Sequence, residues 1–164
     1  MARDHLAFAL DLPDAARARH AASLVAPYVG VVKVGLELFV HAGPSATRIG
    51  PELGCRTFLD LKLHDIPETV ERAVANACQL GVSYLTVHAS GGARMLERAL
   101  ERTTKEASNL TILAVTVLTS LDSDDLQQMG IAGDAASHVR RLAVLAWSVG
   151  IRGFVCSSTE VGSL

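Results

Sequence analysis

The feature that most constrains this chain is a rhythm: short apolar runs alternate with longer stretches of helical periodicity along its whole length. The runs are Leu6–Leu10, Val29–Val34, Thr57–Leu63, Tyr84–Val87, Leu110–Leu118 and Gly153–Cys156. Each is too short for a typical helix and rich in Val, Leu, Ile or Phe, which predicts strands covered on both faces, as in a parallel sheet. Between them lie four helical patterns. Asp14–Ala26 is rich in Ala and Arg, Pro67–Leu80 opens on Pro and stops before Gly81, and Ala93–Ala107 pairs Arg with Glu along one face. Asp134–Val149 carries Val139, Leu142, Ala143 and Ala146 on one stripe before Gly150.

Strand then helix, repeated at roughly 25 to 30 residues, predicts an α/β fold of the (β/α)8 (TIM) barrel type. An open doubly wound sheet is the alternative. A complete barrel has eight strands and usually about 200 residues or more, whereas 164 residues hold six strand candidates. The expectation is a single barrel domain over residues 1–164, with about the first six βα units present and the C-terminal end incomplete.

Composition narrows the partners. At 49% hydrophobic and 20% charged the chain can bury a core, and with only 4% aromatics Leu, Val and Ala must fill it. A net charge of −2 offers no global attraction for nucleic acid or a membrane surface, so local cations must hold any anionic substrate. Cys55, Cys78 and Cys156 are odd in number and form no C-x-x-C pair, which predicts buried reduced thiols rather than disulfides or a zinc site. His41, His64 and His138 lack metal-ligand spacing, so no metal is assigned. No signal-peptide pattern or membrane-spanning stretch is visible, and a cytoplasmic protein is the default expectation.

Charge intrudes where such a sheet should be dry. The informative segment is Phe58-Leu59-Asp60-Leu61-Lys62-Leu63-His64-Asp65-Ile66-Pro67-Glu68-Thr69. Strand alternation places Phe58, Asp60 and Lys62 on one face and Leu59, Leu61 and Leu63 on the other. In a barrel the leucines meet the helices and the charged pair points inward. Such a pair gives no net stability over well-packed apolar residues, so function is the better explanation; a structural ion pair is the plain alternative. Asp65, with Pro67 and Glu68, also fits a capping box, and Asp11, followed by Pro13 and Asp14, has the same plain reading. Thr69 alone fits an ordinary first helical turn. Polar residues recur at the ends of other runs: Asp11, Lys33, His88 and Thr119. In (β/α)8 barrels the C-terminal strand ends build the active site. His88-Ala89-Ser90-Gly91-Gly92 fits either a phosphate-cradling loop or a plain tight turn.

The pattern Asp60-x-Lys62-x-x-Asp65-Ile66-Pro67-x-Thr69 resembles the signature of the orotidine 5′-phosphate decarboxylase family. Its D-x-K-x-x-D core is shared by a wider barrel suprafamily that includes 3-keto-L-gulonate 6-phosphate decarboxylase and hexulose 6-phosphate synthase; the Ile-Pro-x-Thr extension points to the orotidine branch. Lys33-Val34-Gly35 with Glu37-Leu38-Phe39, Val87 to Gly92 and Val115 to Ser120 are similar to the same family. The likeness runs from Leu6 to about Ser157.

The resemblance implies a carboxy-lyase that converts orotidine 5′-phosphate to uridine 5′-phosphate in de novo pyrimidine biosynthesis, with no cofactor and no metal. It implies that Lys62 donates a proton to C6 of the pyrimidine as carbon dioxide leaves and that Asp60 lies near the substrate carboxylate. Lys33 then bridges the ribose hydroxyls and the charge array, Asp11 binds the ribose, and Thr119 meets the pyrimidine edge. Asp65, with Ile66 and Thr69 beside it, comes across the interface of a homodimer. The chemistry is coherent, because a cofactor-free decarboxylation leaves a poorly delocalised carbanion and needs roughly 20 kcal/mol of barrier lowering. A fixed ammonium supplies electrostatic stabilisation. In the family, phosphate contacts come largely from the last strands, including a late Arg; they have no counterpart before Leu164, so residues 1–164 alone are expected to show little or no decarboxylation. The alternatives are a sugar-phosphate decarboxylase or aldolase of the same suprafamily, or an inactive barrel fragment acting as a scaffold.

Overall fold

The computed structural model describes residues 2–163. Among them, β1 (Ala7–Ala9), β2 (Val31–Gly35), β3 (Arg56–Leu63), β4 (Tyr84–His88), β5 (Thr111–Val115) and β6 (Gly153–Val155) form one sheet. The strands lie side by side in chain order, β1 to β6. Pairing is parallel between β1 and β2, β2 and β3, and β5 and β6. A doubly wound sheet reverses its strand order at a switch point; this one never does. Neighbouring strands joined through helices are the arrangement of a (β/α) barrel, here over six strands.

The helices are α1 (Ala15–Val25), α2 (Leu36–Ala42), α3 (Ile49–Glu52), α4 (Pro67–Gln79), α5 (Ala93–Lys105), α6 (Ser123–Gln128) and α7 (Ala135–Ser148). The four expected from the sequence are α1, α4, α5 and α7, each within a residue or two of its predicted ends. Three differences stand out. The linker from β2 to β3 is helical, with α2, a 3₁₀ turn (Gly43–Arg48) and α3 where no helix was expected. The run Leu110–Leu118 yields a strand only over Thr111–Val115, and α6 follows. Coverage on both faces fails for β1, whose three residues are all exposed, because β1 has a neighbour only in β2.

Two compact units make up the chain. The first comprises residues up to Leu61 with Asn76–Leu85 and Ser108–Thr111. Its core includes Leu10, Ala22, Val32, Val34, Leu38, Ile49, Leu59 and Leu85. Gly50 lets α3 approach the sheet, since a Cβ there would lie 2.7 Å from Thr57 Oγ1 and 2.8 Å from Val32 Cγ2. The buried Thr57 hydroxyl is satisfied by donating to the Thr47 carbonyl at 2.8 Å. Cys55 is buried with Sγ 3.4 Å from the Val29 carbonyl.

The second unit comprises Lys62–Ala75, Thr86–Ala107 and residues from Ile112 onward. Its core includes Val70, Val74, Met95, Leu96, Ala99, Leu126, Val139 and Ile151. Glu71 of α4, whose side chain is only 13% exposed, faces three cations of α5: Arg98 at 3.1 Å, and Arg102 and Lys105 at 3.8 Å. That cluster ties α4 to α5. Cys78 and Cys156 are free thiols and only half-buried, so full burial holds for Cys55 alone. No helix of the described residues is long and apolar enough to cross a membrane.

Candidate active site

Lys33 is the central residue of β2, set among Val31, Val32 and Val34, all buried. Valines favour the strand and bury well; the lysine interrupts them. Its ammonium donates to Asp11 Oδ1 at 3.0 Å and lies 3.5 Å from Asp60 Oδ2. The side chains differ in depth: Asp11 is 62% exposed, Lys33 22% and Asp60 11%. Asp60 is thus a nearly buried carboxylate that has a cation beside it, as a buried charge requires.

Sequence reasoning left Asp11 between helix cap and site residue. The cap of α1 is Asp14, whose carboxylate accepts from the Arg17 amide at 2.8 Å. Asp11 is therefore available to Lys33. Gly35 makes the arrangement possible: it pairs in register with Asp60, and a Cβ there would meet Asp11 Oδ1 at 3.0 Å and Lys33 Nζ at 3.4 Å. The sequence motif contained Gly35, but only the geometry gives its reason.

The second unit holds the remaining expected residues. Lys62, near the end of β3, has φ of +51°, in the left-handed region that a residue with a side chain rarely adopts. Simple alternation along β3 therefore stops there, and the expected common face of Phe58, Asp60 and Lys62 does not extend by pleat alone to Lys62. The Lys62 amide donates to the hydroxyl of Thr86 at 2.8 Å. Thr86 lies in β4 and is fully buried. Sequence reasoning missed it, because a threonine inside a strand is ordinary β chemistry.

Asp65, Ile66 and Thr69 lie at the start of α4 and are all exposed. The Ile66 carbonyl accepts from the Thr69 and Val70 amides, which makes Ile66 the cap position and puts Asp65 one residue before it. The Asp65 carboxylate accepts from the Ile66 amide at 2.6 Å. Glu68 pairs with Arg72 on the same helix. The capping box expected from Asp65 and Glu68 is therefore not the one at this helix start. Thr119 is exposed in the loop after β5.

A cavity of about 180 Å³ opens beyond β4 and β5, lined by His64, His88, Ser90, Thr116, Leu118 and His138 among others. The His64 and His88 rings lie 5.4 Å apart. Burial, and then the charge of Arg141, hold His138 below the ordinary histidine range. The His88–Gly92 segment contains a tight turn. Ala89–Gly91 forms a 3₁₀ turn, and a Cβ on Gly91 would collide with the Met95 sulfur. The thioether fills the space beside Gly91, whereas a Cβ on Gly92 would meet nothing within 4 Å. Among the described residues no three His, Cys, Asp or Glu side chains could hold a metal ion together.

Six strands side by side in chain order, joined through helices, define a protein of the α/β-barrel class. The chain belongs to the orotidine 5′-phosphate decarboxylase / HUMPS family, whose model matches residues 4–164. It is 48% identical over 161 residues to an orotidine 5′-phosphate decarboxylase of Anaeromyxobacter sp. (strain K), covering 98% of this chain and 70% of that protein. It is also 48% identical to one of Alcanivorax borkumensis, covering 95% of this chain and 68% of the relative. The crystal structure of orotidine 5′-phosphate decarboxylase from Lactobacillus acidophilus matches with a TM-score of 0.88 at 34% identity, covering 98% of this chain and 74% of that one.

Proposed function

We propose that this protein decarboxylates orotidine 5′-phosphate to uridine 5′-phosphate. The observation that carries the reading is Lys33 held between Asp11 and Asp60 in a chain of this family. In the proposed mechanism Asp60 faces the substrate carboxylate, and loss of carbon dioxide leaves an electron pair on C6. Lys62 stabilises that charge as it develops and then delivers a proton to C6. Lys33 spans the ribose hydroxyls and the acids, with Asp11 on the ribose, and Thr119 contacts the edge of the pyrimidine. The protein's own side chains do this electrostatic work without an electron sink.

The proposal includes a cytoplasmic homodimer in which Asp65, Ile66 and Thr69 of one protomer reach the site of the other. Two features support a partner. Ile66 is 65% exposed at the start of α4. Leu36 and Val40, four residues apart on one stripe of α2, are exposed as well.

The test is release of carbon dioxide from carboxyl-labelled orotidine 5′-phosphate with the protein in excess, beside Lys62→Ala. The expected result is slow release that Lys62→Ala abolishes. Release that Lys62→Ala leaves unchanged would overturn the reading. Turnover of 3-keto-L-gulonate 6-phosphate, assayed with and without magnesium, would assign the chain to the sugar-phosphate side of its suprafamily.

A further inference from the structure

We propose that Thr86 is a positioning residue: its buried hydroxyl holds the backbone of Lys62 in the left-handed conformation from which that side chain departs. The catalytic part of this inference rests on the decarboxylase reading; the conformational part does not.

Lys62 has φ of +51°. Such a backbone is disfavoured for any residue with a Cβ, and it persists only where the surroundings over-determine it. Lys62 lies within β3, one residue before its end, and its part-buried amide needs an acceptor. Thr86 Oγ1 is that acceptor, at 2.8 Å. A threonine is stiff at χ1, which fixes the oxygen in space. Its two neighbours in β4, Leu85 and Val87, are as fully buried as Thr86 and entirely aliphatic. Valine would suit the strand and the burial equally well. A hydroxyl in such a place is costly unless bonded, and the Lys62 amide supplies a bond that valine could not accept. A lysine that must present its ammonium to one carbon gains from a backbone that cannot rock.

Three variants test this. In Thr86→Val the Lys62 amide should exchange with solvent about tenfold faster or more, relative to the Leu85 and Val87 amides, whereas Thr86→Ser should hold it near the parent rate. In decarboxylation assays Thr86→Val should lower kcat by about tenfold or more with KM nearly unchanged, and Thr86→Ser should restore it. Independently, Lys62→Gly should melt above Lys62→Ala, the reverse of the usual order in a strand, because glycine alone accepts the positive φ without strain. If Thr86→Val does not fold, this glycine–alanine order in the parent and in Thr86→Ser decides. Unchanged exchange in Thr86→Val, or alanine melting above glycine, would overturn the proposal. Carbon dioxide release that Lys62→Ala leaves unchanged would overturn the decarboxylase reading instead and leave exchange and melting to decide this one.

Discussion

Lys33 meets Asp11 near solvent and Asp60 in the interior, and the two contacts differ in energy. An ion pair to a carboxylate as open as Asp11 contributes about 0–1 kcal/mol. Taking the ammonium away from Asp60 removes a cation from a nearly buried charge and should cost about 1–3 kcal/mol, allowing for the partial exposure of Lys33. Lys33→Met should therefore lower the denaturant midpoint clearly more than Asp11→Asn does; equal losses would contradict the burial argument. Gly35 is different again. Its φ is −84°, so alanine brings no backbone strain. The added methyl meets Asp11 Oδ1 and Lys33 Nζ instead. Gly35→Ala should weaken binding of uridine 5′-phosphate several-fold in calorimetry while costing less than about 1 kcal/mol of stability. At this scale the sequence was legible in residue type and blind to conformation. Asp60 and Lys33 stood out as charges in apolar runs. Lys62's left-handed φ and Thr86's bond to it left no trace in any pattern, because a dihedral is set by tertiary contacts.

Helix ends show the same division. The cap of α1 is Asp14 rather than Asp11, and Asp134 caps α7 by accepting from the Ser137 amide at 2.7 Å. The full capping box of the chain's described residues lies at α6, where Asp122 accepts from the Asp124 and Asp125 amides and the Asp125 carboxylate accepts from the Asp122 amide. Its acidic pattern was present in the sequence but preceded too short an apolar stretch to announce a helix. Asp122→Ala should cost about 1 kcal/mol and speed amide exchange across α6. The long strands and helices were legible because periodicity over ten or more residues averages out local noise. The short pieces between β2 and β3 are held by packing such as that of Gly50 on Thr57, which periodicity does not encode. One turn into α7, His138 carries a pH signature. Its folded pKa lies below the ordinary value of about 6.5, so the unfolded chain takes up the proton first. Its contribution to stability is full above about pH 6.5 and is lost as pH falls through the folded pKa. His138→Gln should flatten the fall in melting temperature between about pH 7.5 and about pH 5.5; an equal slope in both proteins would assign it elsewhere.

On the scale of the whole molecule, the strand order leaves β1 at one end of the sheet with Ala7, Phe8 and Ala9 exposed. An apolar edge of this kind recruits other chains. Phe8→Lys should reduce concentration-dependent light scattering without lowering the melting temperature; unchanged scattering would place the association surface elsewhere. The link between α4 and α5 has a consequence of another kind. Glu71 pairs with Arg98, Arg102 and Lys105, the last two of which also pair with Glu106 and Glu101 within α5 and its end, and a glutamate codon is one base from a lysine codon. A Glu71→Lys allele would set four like charges against one another in a half-dry seam. Such a lesion acts through folding, so it should behave as a conditional mutation: in a strain dependent on this gene for pyrimidines, growth without uracil at low temperature and failure at high temperature.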